Sequence, residues 1–175
     1  QFFLSEIILK LQNINISGAH LIAKHFAVFI TFFLSGIFVY LILSKVIKNS
    51  YFCITATILY FLYPYLFGHG LFNPKDIPFL CFWIICTYIS INIFIDLFDN
   101  KDLKYLKVLT IAFLTAFLIS IRITGILIFI QYLFTFMVFL KLDEVNLSFF
   151  IKNYYKKILF FILSIFLFIY LLHPV

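Results

Sequence analysis

The chain has 175 residues, 65% of them hydrophobic and 11% charged, and it includes 27 Phe and 11 Tyr. With a mean hydropathy of +1.16, this composition excludes a water-soluble globular domain, because a core of this size cannot bury so many rings and lipid must cover the rest. The formal net charge of +6 comes from lysines scattered between apolar runs with no continuous basic face, so it marks the ends of membrane spans and excludes a nucleic-acid surface.

The expected fold is all-α: a polytopic transmembrane helix bundle of about six spans preceded by an interfacial amphipathic helix, forming one transmembrane domain over 1–175. From Gln1 to Ser17, apolar Phe3, Leu4, Ile7, Ile8, Leu11 and Ile14 alternate with Glu6, Lys10 and Asn13. That is a helical period with one wet face, predicting a helix lying flat at the interface and ended by Ser17-Gly18. A truncated span is the alternative.

The first clear span is predicted over about 26–47, followed by a tight turn at Asn49-Ser50. The second, about 51–66, meets Pro64, which should kink or end it. The third runs over about 77–97, with Pro74 and Pro78 bracketing its start, where a missing N–H costs little. A mixed-charge connector of Asp96, Asp99, Lys101, Asp102, Lys104 and Lys107 reads as solvated and structural. A short fourth span, about 106–120, leads through Ile121-Arg122-Ile123-Thr124-Gly125 into a fifth ending near 140. The connector 141–157 carries interfacial aromatics, and a sixth span over about 158–172 follows. Cys53, Cys81 and Cys86 fall inside apolar spans without ligand spacing and read as small buried hydrophobes. No Met opens the chain and it ends at His173-Pro174-Val175 as a span finishes, so it reads as an internal piece of a longer protein.

One stretch departs from this hydrocarbon character. Phe67-Gly68-His69-Gly70-Leu71-Phe72-Asn73-Pro74-Lys75-Asp76-Ile77-Pro78 is predicted to be a loop at a membrane face or lining a wet cavity, because unpaired backbone is not tolerated in lipid. His69, exposed by its glycine flanks, can ligate a divalent metal or donate to a phosphate, or can be an interfacial histidine with no partner. Asn73 can be a turn residue or can bind a sugar hydroxyl. Lys75 and Asp76 can offer charge to a phosphate and a carboxylate to a metal or acceptor, while the simpler role for Asp76 is to favour a helix N-terminus. Arg122, the only arginine, suits a bidentate phosphate contact or can snorkel to headgroups. His20, His25 and His173 make no metal motif with these residues, and no Walker, dinucleotide or nucleophile-elbow pattern occurs.

If spans alternate, one side of the membrane holds Lys45, Lys48, Lys101, Lys104, Lys107, Lys141, Lys152, Lys156 and Lys157, and the other holds Lys10, Lys24, Lys75 and Arg122. The first side is then cytoplasmic, and the polar stretch and Arg122 face outward.

Phe67-Gly68-His69 followed by Asn73-Pro74-Lys75-Asp76-Ile77-Pro78-Phe79 resembles a loop of bacterial polytopic glycosyltransferases of the GT-C class, the dolichyl-phosphate-mannose–protein mannosyltransferase-like proteins. Ile121-Arg122-Ile123-Thr124-Gly125 is similar to that family's Arg-x-x-Gly, and 20–48 is similar to the helix after its first large outer loop. The resemblance implies an integral inner-membrane enzyme that takes sugar from a polyprenyl-phosphate carrier to an acceptor on the outer face. It implies that His69, Asn73, Lys75, Asp76 and Arg122 line the carrier-phosphate site. It also implies a catalytic acid upstream of Gln1, with Asp76 the candidate within the chain. A multi-span transporter or lipid flippase is the alternative, in which Pro64, Pro74 and Pro78 break helices around a substrate path.

Overall fold

The computed structural model describes residues 17–99, 103–142 and 147–172. The amphipathic stretch before Ser17, together with Lys101, Asp102 and His173, lies outside them. Every element among the described residues is helical: α1 (Ser17–Val46), α2 (Ser50–Leu62), α3 (Pro64–Phe72), α4 (Asp76–Phe98), α5 (Tyr105–Ile121), a 3-10 turn (Ile123–Leu127), α6 (Ile128–Leu142) and α7 (Leu147–Leu172). Four stretches are long and apolar enough to cross a membrane, and a fifth counts if the bent pair α2–α3 is one span. The sequence count of about six takes in α5 as well, whose 17 residues fall short of the roughly 20 that a crossing needs.

Two boundaries differ from expectation. Ser17-Gly18, expected to break the chain, are helical and are the first described residues of α1. At the other end, residues 147–157 of the expected 141–157 connector are helical, as the first part of α7. Apolar periodicity places a span's centre well, but polar residues on a helix that protrudes from lipid read as loop.

The described chain forms two compact units, divided after Ile84. In the first, α1 and α2 form an antiparallel hairpin. Asn49 caps α2, its side chain accepting from the Tyr51 N–H at 2.9 Å. Further along, Ser35 and Tyr60 share a 2.7 Å hydrogen bond, and Phe32 meets Phe61 edge-on at 5.4 Å. Gly36 makes this crossing feasible, because a Cβ there would lie 1.9 Å from Phe61 Cζ. Pro64 ends α2 as its chemistry dictates. The preceding Tyr63 is extended, Pro64 starts α3 at the turn where no N–H is needed, and the two axes bend by 62°. Val28, Phe32 and Ile77 are the buried centre of this unit.

In the second unit α4, α5, α6 and α7 alternate in direction. Thr87 meets Gln131 and Phe98 meets Phe139, so α4 and α6 run parallel. Tyr105 meets Phe160 and Phe113 meets Phe168, so α5 and α7 do too. Lys107 pairs with Asp96, which sets α5 against the end of α4. Ala112 and Ala116 are fully buried against Ile165, small residues that let α7 approach closely. Thr115 and Tyr132 hydrogen-bond at 2.9 Å, and the Gln131 amide donates to Thr87 at 2.6 Å. In lipid such groups must find partners within the protein, and here they tie neighbouring helices together. Cys53, Cys81 and Cys86 are at most 1% exposed, as the apolar reading of them required.

Candidate functional site at the α3–α4 break

The expected twelve-residue loop is mostly helix. Phe67 to Phe72 belong to α3, and only Asn73, Pro74 and Lys75 separate it from α4. Glycine flanks misled the sequence reading: with an apolar face to pack, Gly68 and Gly70 are carried in the helix. Gly70 is buried, and a Cβ there would meet the Phe32 ring at 2.8 Å, while Gly68 has nothing within 4 Å. His69 is accordingly not a flexible exposed side chain. It is half-buried, its ring 4.4 Å from that of Tyr65 and 5.5 Å from that of Phe72.

Asn73 organises the break. Its N–H closes α3 by donating to the His69 carbonyl at 2.8 Å. Pro74 then has no N–H with which to continue the helix. The Asn73 Oδ1 accepts from the N–H groups of Lys75 (3.1 Å) and Asp76 (2.9 Å), so one side chain satisfies donors that the start of α4 would leave unpaired. The same amide's Nδ2 donates to Asp76 Oδ2 and meets His69 Nδ1, each at 2.8 Å. Asp76 stands in the first turn of α4, where the helix dipole favours an acid, and its Oδ1 is enclosed. Lys75 is exposed.

These bonds assign the histidine's proton. Oδ1 faces two N–H donors, so the other amide atom is the NH2 group, with a hydrogen for each of its partners. His69 Nδ1 must then accept, and its ring proton sits on Nε2. His69 thus presents an N–H donor to an incoming group, where a metal would need the lone pair. Among the described residues no three His, Cys, Asp or Glu side chains gather as a metal site.

A fourth participant escaped the sequence reading. His25 Nδ1, on α1, donates to the Leu71 carbonyl at 2.7 Å across 46 residues. A carbonyl only accepts, so this nitrogen carries the proton, and the bond fastens the end of α3 to α1. No local pattern announces it, because the pairing depends on the α1–α3 packing.

Arg122 belongs to the second unit. It ends α5 in an extended conformation, φ −149° and ψ 134°, and its carbonyl accepts from Gly125 N–H at 2.8 Å. The chain breaks its α-helix here, and Gly125 has a definite reason: a Cβ would lie 2.9 Å from the Leu118 carbonyl oxygen. The arginine is exposed.

His69, Asn73 and Asp76 are therefore bonded together, Lys75 adjoins them through its backbone, and Arg122 stands at a separate break. No family model, no curated protein and no solved structure matches the chain.

Proposed function

We propose that the chain belongs to the membrane domain of a GT-C-type glycosyltransferase, which moves a sugar from a polyprenyl-phosphate carrier to an acceptor on the outer face of a bacterial inner membrane. The observation that carries this reading is the α3–α4 break, where an Asn73-oriented His69 Nε2–H and the first turn of α4 stand together, with the exposed Lys75 next in the chain and bonded to Asn73 through its backbone N–H. Such donors stabilise the charge that develops on a departing lipid phosphate, and apolar helices around them keep the contact from being screened by water. Arg122 adds a permanently charged fork at its own break. Asp76, held by Asn73, is the candidate carboxylate at this break, and its enclosed position suits it to orienting Asn73 and His69.

The test is transfer of radiolabelled sugar from polyprenyl-phosphate donors in the host's own membranes. His69→Ala and Arg122→Ala are expected to lower the rate about 100-fold each, the cost of removing one transition-state donor, with Lys24→Ala near normal. Rates equal to Lys24→Ala in both would remove the phosphate role.

One observation favours the transport alternative. The α2–α3 pair, bent by 62°, has the form of a broken helix, which transporters use to bind substrate near the midplane. Against it, the buried polar side chains among the described residues are Ser35, Ser90, Thr115 and Ser164, none of them ionisable. Carrier-lipid movement in reconstituted vesicles without any sugar transfer would favour transport.

A further inference from the structure

The second unit forms an open-sided cavity of about 300 Å³ between the end of α4, the middle of α6, and parts of α5 and α7, walled by Leu97, Val108, Phe136 and Phe161. Its few polar neighbours are already committed. Ser90 Oγ donates to the Thr87 carbonyl at 2.8 Å, and Tyr132 shares its hydroxyl hydrogen bond with Thr115. A water molecule needs two to four polar partners, so water does not fill such a space and hydrocarbon does.

One part of the lining is different. Lys157 contributes to the cavity wall beside Tyr154, with its ammonium 5.6 Å from the centroid of that ring and 5.8 Å from that of Tyr105. The antiparallel order of the unit brings Lys104 and Lys107 (start of α5), Lys141 (end of α6) and Lys152 and Lys156 (first half of α7) to this same end, all of them exposed. A hydrocarbon slot beside a lysine, at the basic end of a bundle, matches a molecule with a long apolar tail and a single anionic head.

We propose that this cavity seats one acyl chain of an anionic glycerophospholipid, with the headgroup phosphate paired to Lys157. The site does not depend on the transfer reaction proposed above. It uses neither the α3–α4 break nor Arg122, which stands at the opposite end of α5 from Tyr105. The basic end of the bundle is where the positive-inside rule places the cytoplasmic, anionic leaflet. An occupant there would fill the gap between α5 and α7 on one side and α4 and α6 on the other, acting as part of the bundle's packing.

The experiment is native mass spectrometry of the purified protein with dioleoyl phosphatidylglycerol or dioleoyl phosphatidylcholine, whose tails are identical. The expected result is a preference of about fivefold for the anionic lipid, the effect of one lysine near a lipid phosphate. Lys157→Gln should bring the ratio to one, while Lys104→Gln, a lysine at the same end outside the cavity, should leave it unchanged. Ile158→Trp, which narrows the cavity from its lining, should weaken both lipids alike. Retention of native cysteine protection in each variant confirms that the fold is intact. Equal binding of the two lipids by the unmodified protein, or a preference that survives Lys157→Gln, overturns the proposal. Displacement of phosphatidylglycerol by equimolar polyprenyl phosphate also overturns it, and assigns the cavity to the sugar carrier.

Discussion

Replacing Asn73 by Ala should loosen the α3–α4 junction more than any other single polar change in the first unit. The side chain does two jobs. Its Oδ1 accepts two backbone N–H groups as α4 begins, a capping role worth about 1 kcal/mol. Its Nδ2 serves His69 and Asp76, and each such bond contributes about 1 kcal/mol net, more where the acceptor is charged. The sum is about 3 kcal/mol. For a chain of this length each kcal/mol moves the melting midpoint by about 2–4 °C, so a fall of about 6–12 °C is expected. The protein supplies its own assay, since Cys53, Cys81 and Cys86 are shielded until the bundle opens and a thiol-reactive fluorogenic dye reports unfolding directly. Asn153→Ala, at an exposed position on α7, is the control. A midpoint for Asn73→Ala within a degree of that control would refute the hydrogen-bond reasoning and, with it, the assignment of the His69 proton.

Other substitutions test the packing and the topology. Gly36→Ala forces its Cβ into the Phe61 ring, which Phe32 and Phe33 hold from two sides. It should cost about 1–3 kcal/mol by overpacking, and a melt unchanged from the unmodified protein would contradict the close approach. Gly68→Ala, with open space around it, should instead raise the midpoint, since alanine is about 1 kcal/mol better in a helix interior. A double-mutant cycle of Thr115→Val with Tyr132→Phe should give a coupling of about 0.6 kcal/mol, the usual size for a hydrogen bond between membrane helices; zero coupling would mean that the pair is not formed. For the proposed orientation, Lys75→Cys should react with an impermeant maleimide added outside intact cells, and Lys48→Cys only after the membrane is breached. The reverse pattern would invert the topology.

What could be read from the sequence was the hydrocarbon. The third span was expected over about 77–97 and α4 is Asp76–Phe98; the fourth over about 106–120 and α5 is Tyr105–Ile121. Both runs are apolar enough to be legible as helices, but only α4 is also long enough to count as a span; α5, at 17 residues, is not. Pro64 was legible for a different reason, because it has no N–H with which to continue a helix. The site was only partly legible. Composition singled out His69, Asn73, Lys75 and Asp76, yet the glycines implied an open loop where the chain forms α3. A glycine is permissive and does not compel a turn, and what Gly70 provides is room for Phe32. His25 and the Ser35–Tyr60, Thr115–Tyr132 and Thr87–Gln131 pairs were missed altogether. A hydroxyl or amide within an apolar run carries no label for its partner on another helix.

The hydrogen bonds at the break also bear on which kind of ligand it suits. Two helix ends of opposite polarity meet there, the carbonyl end of α3 and the N–H end of α4. A site for cations would need free carbonyls, as the unwound segments of ion-coupled transporters have. Here the Leu71 carbonyl is taken by His25 and the His69 carbonyl by the Asn73 N–H. Asp76 and Lys75 cancel in formal charge, so the balance is left to the α4 dipole and the His69 Nε2–H, both of which favour an anion. Substitutions at His25 separate this capping effect from a general loss of folding. Replacing His25 by Gln keeps a donor for Leu71 and should leave the melt and carrier-phosphate binding nearly intact. His25→Leu frees that carbonyl and should weaken phosphate binding by more than its melting shift explains. If both variants bind phosphate-bearing carrier equally well, the capping of α3 has no part in the selectivity of the break, and any preference for anions must come from the α4 dipole and His69 alone.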